Sequence, residues 1–351
     1  MGIFISLLVF SFLIFFHELG HFLAARFFGV HVEVFSIGFG KRILTKQIGQ
    51  TQWSFSAIPL GGYVRMKGQD DSDPTKKSYD YDSYNSKTPA QRIVISLAGP
   101  FANFLLAFML YLSVATLGVP TPLSTVGSVM EPSPALTAGI LKNDTIININ
   151  GQHIKYWKDI GEVIQNHQGT HHLTILRDNN YIELDITPKL LDAKNRFGES
   201  KKRYLLGITP NTNNLEIQKY NMNESFEFAY KQTEQASLYI VQSLKKLISG
   251  LIPMENLGGV IGIVDTTSKV TNMGLVALLM FAALISVNLG VINLLPIPAL
   301  DGGHVMFQLY ELITGKAASD EIMFKLTLFG WSILLSLMLL GFYNDINRLF
   351  G

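Results

Sequence analysis

The chain has 351 residues, with no cysteine, 48% hydrophobic and 16% charged residues, and a formal net charge of +1. A soluble chain carries about 25% charged residues; here the deficit gathers in four stretches, which excludes a single soluble globule and points to a membrane protein with a soluble insert. The near-zero net charge excludes the basic face of a nucleic-acid binder, and the missing thiols leave only His, Asp and Glu to hold a metal.

The first apolar stretch, Gly2 to Ala25, has only His17, Glu18 and His21 as ionisable residues. About 20 residues cross a bilayer as a helix. No basic segment precedes this one, and it ends in Arg26 rather than at a small-residue cleavage site, so residues 1–25 read as a retained span. His17-Glu18-Leu19-Gly20-His21 is an HExxH motif. Positions i and i+4 share a helix face, so the two imidazoles can chelate one zinc with the Glu beside a metal-bound water. Ionisable groups inside a span cost at least about 2.5 kcal/mol for a central Asp, and three in one turn need a compensating partner. The plain alternative is a satisfied polar cluster facing a water-filled cavity.

Loop 26–91 contains Gln52-Trp53-Ser54-Phe55-Ser56-Ala57, whose alternation predicts a strand. Pro59-Leu60-Gly61-Gly62 predicts a turn, with Tyr63 to Met66 as the returning strand. The hairpin is either a solvent-side feature or a membrane-associated loop whose edge pairs with an extended substrate. Residues 69–91 read as a mobile polar linker. Arg26, Lys87 and Arg92 flank the spans, so the positive-inside rule places 26–91 on the cytoplasmic side.

Span 2, residues 92–117, has no charge from Ile93 to Leu117. Its Gly99-Pro100-Phe101-Ala102-Asn103 allows close helix approach and an interhelical hydrogen bond. Asn103 is either interhelical glue or, at about 15 Å depth, a group that holds substrate backbone. Residues 118–210 read as a small mixed domain, with a helix near 157–167 and strands near 171–177 and 181–187; His171 and His172 read as exposed strand residues. The order of its elements resembles a bacterial PDZ domain. Within 211–274, residues 222–252 predict a partly amphipathic juxtamembrane helix, interfacial or gating.

Span 3 covers 275–303. Asn288 reads as glue, and Asn293 as a second candidate to hold substrate. Leu295-Pro296-Ile297-Pro298-Ala299-Leu300-Asp301-Gly302-Gly303 should break the helix at membrane depth. This span runs in the direction of span 1, so Asp301 reaches the depth of His17 and is a candidate third ligand; the plain alternative is an interfacial Asp. His304 is its rival. Residues 304–325 predict a loop or short helix, and 326–351 the fourth span and C-terminus. Four spans put both termini and the 118–274 segment opposite loop 26–91.

His17 to His21, Gly99 to Asn103 and Leu300-Asp301-Gly302 together resemble the site-2 protease family of intramembrane zinc metalloproteases, most closely its bacterial RseP type. Phe35-Ser36-Ile37-Gly38-Phe39-Gly40 and Ser286-Val287-Asn288-Leu289-Gly290 add to the likeness. The resemblance implies a multi-pass α-helical membrane protein with four transmembrane helices, a membrane-associated β-hairpin and an inserted α+β PDZ-like domain. It implies a bacterial inner-membrane location with the active site toward the cytoplasm, a Zn2+ cofactor held by His17, His21 and Asp301, and Glu18 as catalytic acid/base. The expected partners are single-span membrane proteins or peptides, an anti-sigma factor or signal-peptide remnant among them, together with the lipid bilayer and no nucleic acid. The PDZ-like domain would contact substrate or a regulatory peptide; some relatives carry two such domains, and one is visible here. The rival classes are a metal or ion transporter, for which no internal repeat is visible, and a non-catalytic PDZ adaptor, which leaves the polar turn of span 1 without a purpose.

Overall fold

A computed structural model describes residues 2–69, 77–167, 169–194 and 199–350, and the chain divides into two compact units, 1–116 with 222–351, and 117–221. The first unit opens with α1 (Gly2–Phe27), β1 (Val32–Ile48), β2 (Thr51–Met66) and α2 (Pro89–Leu117). Both long strands bend, and their arms make a sheet in the order 42–48, 51–56, 34–37, 62–66. Residues 63–66 therefore do not return onto 52–57 as expected. Strand 34–37 lies between them, with Val34 opposite both Gln52 and Arg65 and Ile37 opposite both Phe55 and Gly62. Gly38 and Gly40 make this possible by taking left-handed backbone, with φ of 91° and 84°. Phe35 then stacks on Trp53 at 4.3 Å, and Trp53 meets Phe22 of α1. Among the described residues, strand 62–66 has no neighbour on its other side and forms an edge.

The expected linker is partly ordered. Residues 70–76 lie outside the described residues, but 77–88 are fastened to the sheet. Ser83 and Tyr84 are buried. Lys67 Nζ bonds Asp80 at 2.9 Å and Asp82 at 2.7 Å, and the backbone N–H groups of His31 and Tyr84 bond the carbonyls of Asp82 and Lys67. The Lys67 ammonium holds both carboxyls below the usual carboxylate range. A polar composition concealed this because ion pairs to Lys67, backbone groups and one aromatic ring do the fastening.

The second unit runs through β3 (Val119–Pro122), β4 (Val126–Val129), α3 (Pro134–Thr137), β5 (Thr145–Ile149), β6 (Gln152–His153), α4 (Trp157–Asn166), β7 (His171–Arg177), β8 (Asn180–Ile186), β9 (Lys189–Lys194), β10 (Ser200–Leu205), β11 (Ile208–Pro210) and β12 (Leu215–Gln218). Its four-stranded sheet has the order β6-β5-β7-β8. The β7–β8 turn places Asp178 and Asn179 at positive φ, a conformation these side chains tolerate. β12 pairs with β3, so residues 215–218 belong to this unit rather than to the helical segment that follows.

His171 is fully buried, contrary to expectation, because it shares the inward face of β7 with Leu173 and Ile175; His172, one residue on, is exposed as expected. The Asn150 amide donates to His171 Nδ1 at 3.0 Å while its oxygen accepts from the His172 N–H, and His171 Nε2 donates to the His167 carbonyl. These contacts satisfy a neutral ring only. Burial pushes the imidazole pKa below 6.5. The unfolded chain then takes up a proton near pH 6.5 that the folded unit refuses until lower pH, so stability falls as pH drops below 6.5 and levels off below the folded pKa. Amides of β5 and β7 should exchange faster at pH 5 than at pH 7 after correction for intrinsic rates, and His171→Gln should remove that dependence. Equal dependence in both proteins would refute this.

The first unit resumes with α5 (Met222–Ile248), α6 (Val260–Asn272), α7 (Leu275–Asn293), α8 (Asp301–Thr314) and α9 (Asp320–Phe350). The segment expected as one juxtamembrane region is thus two helices, and α5 lays Ala229 and Ala236 against Ala107, Ala283 and Val287 of α2 and α7. α1, α2, α7 and α9 are long and apolar enough to cross a membrane. α7 stops at Asn293, and Asp301 opens a separate 14-residue helix where a loop or short helix was expected from 304. α9 begins six residues before the expected fourth span.

Candidate metal centre

α1 places His17 and His21 one turn apart toward α2, with Glu18 next to His17 and against Gly62 of β2. Gly20 permits the approach: a Cβ there would lie 2.2 Å from the Ala98 carbonyl oxygen. His21 Nδ1 stands 2.8 Å from the Ile95 carbonyl oxygen. A carbonyl only accepts, so Nδ1 carries the proton and Nε2 presents a lone pair. The ring lies on Gly99, where a Cβ would sit 2.2 Å from Nε2.

The Asn103 amide meets His17 Nδ1 at 3.0 Å. Asn103 is fully buried and makes the interhelical contact that is one of its two expected roles, while it also lines the cavity on which the site opens; a role in holding substrate remains a proposal. With its amide nitrogen toward the ring, Asn103 Oδ1 has no hydrogen-bond partner. Exchanging the two ends of the amide, which are assigned by their bonding, lets Oδ1 accept from Nδ1–H and frees His17 Nε2, as the Ile95 carbonyl frees that of His21.

Asp301 arrives from the other end of the chain. Pro296 and Pro298 offer no N–H, and the backbone after Leu294 closes in tight turns, with Ile297 N bonding Leu295 O and Ala299 N bonding Ile297 O, both at 2.7 Å. α8 tucks beneath these turns because Gly302 and Gly303 lack side chains; a Cβ on either would fall within 2.4 Å of a carbonyl oxygen. Asp301, in the first turn of α8, lies where the helix dipole favours a carboxylate.

His17 Nε2 and His21 Nε2 are 3.2 Å apart, and Asp301 Oδ2 and Oδ1 lie 3.2 and 3.3 Å from them respectively. Bonds of about 2.0–2.1 Å to a tetrahedral zinc give ligand-to-ligand edges of about 3.3 Å. Two lone pairs facing one another, beside a buried Asp301 Oδ2 that lacks a hydrogen-bond partner, form an acceptor-only cluster that a cation satisfies. The residues therefore fit zinc. Among the described residues this is the one cluster of three with metal-ligand spacing, and His304 is outside it.

His17 and Asp301 open on a cavity of about 800 Å3, also lined by Glu18, Asn103, Asn293, His304 and the edge strand from Gly61 to Arg65. Glu18 is 9% exposed. Gly62 lies against α1 so closely that a Cβ would stand 3.0 Å from Glu18 Cγ. Asn293 Nδ2 lies 3.5 Å from His17 Nε2. Val260, Ile263, Leu289 and Trp331 make the apolar wall. Two contributors escaped the sequence reading, the Ile95 carbonyl and Gly62; a backbone acceptor leaves no trace in residue types, and Gly62 was read as a turn.

The model of peptidase family M50 matches residues 5–337. A Campylobacter jejuni protein named as a zinc metalloprotease is 44% identical over 99% of this chain and 93% of its own. One of Helicobacter pylori strain J99 is 40% identical over 98% and 99%. The zinc metalloprotease RasP of Bacillus licheniformis is 29% identical over 98% of each chain. Among solved structures, the PDZ domain of an SdrC-like protein from Listeria innocua is 28% identical over 25% of this chain and 92% of its own, with a TM-score of 0.19.

Proposed function

The chain belongs to peptidase family M50, the site-2 protease family, a zinc metalloprotease family, and from that premise we propose that it hydrolyses a peptide bond in or near the transmembrane segment of a membrane-protein substrate. The observation that carries this reading is the triangle of His17, His21 and Asp301 ligand atoms with Glu18 beside it, opening on a cavity bordered by an unpaired strand edge. His17, His21 and Asp301 would hold the zinc. When bound, zinc supplies Lewis-acid polarisation and brings the pKa of water to about 7.

Glu18 takes a proton from the attacking water and delivers it to the amide nitrogen as the peptide bond breaks, leaving a carboxylic acid and an amine. Asn103 and the Ile95 carbonyl keep both imidazoles in the tautomer that presents Nε2 inward. A helical substrate hides its amides within its own hydrogen bonds. Pairing with strand 62–66 would hold it unwound, with its carbonyl toward Glu18 and Asn293 in reach of its backbone. The site would face the cytoplasmic side of a bacterial inner membrane, and release of an anti-sigma factor or removal of signal-peptide remnants fits this chemistry.

Purified protein in detergent should cleave a model single-span substrate, lose cleavage to a zinc chelator and regain it when zinc is returned. Cleavage that survives verified zinc removal, or zinc-loaded protein that cleaves no single-span substrate but carries ions into liposomes, would overturn the reading. The strand edge has its own test. Successive N–H groups alternate sides along a strand, so of Tyr63→Pro and Val64→Pro one removes an outward donor. That variant should retain zinc and lose about ten-fold or more in cleavage; full cleavage in both would exclude strand pairing.

A further inference from the structure

α8 is amphipathic in the inverse sense. Asp301, His304, Gln308 and Glu311 follow the spacing of one helix face, and this polar face is turned inward. Leu309, Leu312 and Ile313 on the outer side are 43%, 51% and 82% exposed. α2 carries a matching polar stripe of Arg92, Ser96 and Asn103.

The two stripes join in rungs. Farthest from the metal centre, Arg92 Nη2 bonds Glu311 Oε1 at 2.6 Å. One turn closer, Gln308 Nε2 donates to Tyr84 Oη at 2.6 Å and to Ser96 Oγ at 3.2 Å, with the two hydroxyls 3.4 Å apart. All three residues of this rung are buried. At the inner end stand Asn103 against His17 and Asp301 beside both histidines.

An apolar outer face gives little resistance to rotation of a helix in lipid, because lipid tails are as apolar as leucine. The polar rungs set the rotation instead. A turn of roughly 20° moves a side-chain tip about 5 Å from the helix axis by about 2 Å, well outside the tolerance of about 0.2 Å for a metal bond. We propose that Gln308, which touches no ligand, is a positioning residue for Asp301: its buried amide, bonded to Ser96 and Tyr84, locks the rotation of α8 and so sets the zinc affinity. The inference rests on the assignment of Asp301 as a zinc ligand.

Competition with a chromogenic chelator reads zinc affinity directly. Gln308→Leu keeps the side-chain volume and should bind zinc about ten-fold more weakly, the lower range for groups that orient ligands, while cleavage at saturating zinc returns to the wild-type rate. Tyr84→Phe and Ser96→Ala each remove one hydroxyl with little change in packing, and should shift affinity in the same direction by less; they decide the matter if Gln308→Leu does not fold. Asp301→Asn is the reference. Wild-type affinity in the Gln308, Tyr84 and Ser96 variants beside loss in Asp301→Asn would overturn the positioning role and leave the ligand standing. A lowered unfolding temperature at unchanged zinc affinity would likewise reduce Gln308 to a structural part. Wild-type affinity in Asp301→Asn would remove the ligand assignment and the inference with it.

Discussion

Glu18→Gln should retain one zinc per chain and the wild-type fold while cleavage of a single-span substrate falls by about 10²–10⁴-fold, the usual contribution of a general base. The substitution is isosteric, and the cavity wall at this point is close-fitting: Glu18 is buried and the edge strand passes over it at Gly62. An amide cannot take the proton from water, whereas the three ligand atoms belong to other residues. Zinc content and cleavage measured on the same preparations separate the two roles. Cleavage at the wild-type rate would remove Glu18 from the chemistry, and loss of zinc together with cleavage would make it part of the metal's support.

Gly99→Ala should cost about 10²-fold in zinc affinity, and cleavage at ordinary zinc with it. One methyl group at this position would stand 2.2 Å from His21 Nε2, the atom offered to the metal. His21 cannot simply step aside, since its Nδ1–H is fixed to the carbonyl of Ile95, one turn before Gly99 in α2. Orienting groups around ligands are worth 10–100-fold in affinity, and displacement of a ligand belongs at the upper end. The sign is informative, because alanine favours a helix interior over glycine by about 1 kcal/mol. If affinity falls while α2 is not weakened, the loss comes from the overlap with His21. Zinc titration of Gly99→Ala with unchanged affinity would show that the ring has room that the close packing denies it.

The gathering of His17, His21 and Asp301 was legible in the sequence because a candidate metal site depends on residue type at fixed spacing. His17 and His21 share a helix face by periodicity alone, and Asp301 stands out beside two prolines. The sheet was less readable. Phe35 and Ile37 lie between two segments that read as partners, since alternation assigns a strand but not its neighbour, and the fold-back depends on positive φ at Gly38 and Gly40. Asn103 read equally as an interhelical bond and as a group that holds substrate, and the His17 contact meets the first reading, because position along a helix does not say which way an amide is occupied. α8 was read as a loop or short helix; its polar residues face inward, the reverse of the pattern that marks a soluble helix. His171 was misread for a related reason, a polar residue on the inward face of a strand whose neutral ring is fully bonded.

His17 and His21 lie in α1, the first of the helices long and apolar enough to cross a membrane, whereas Asp301 follows His21 by 280 residues. At a synthesis rate of about 5–20 residues per second, Asp301 leaves the ribosome roughly 15–55 s after the histidines. During that interval the nascent chain would hold only two of the three proposed ligands, fewer than a zinc hydrolase site uses. On the proposed assignment, a ligand set divided between the start and the end of the chain would act as a timer: hydrolytic power would be withheld until Asp301 has been made, and a truncated product would never acquire it.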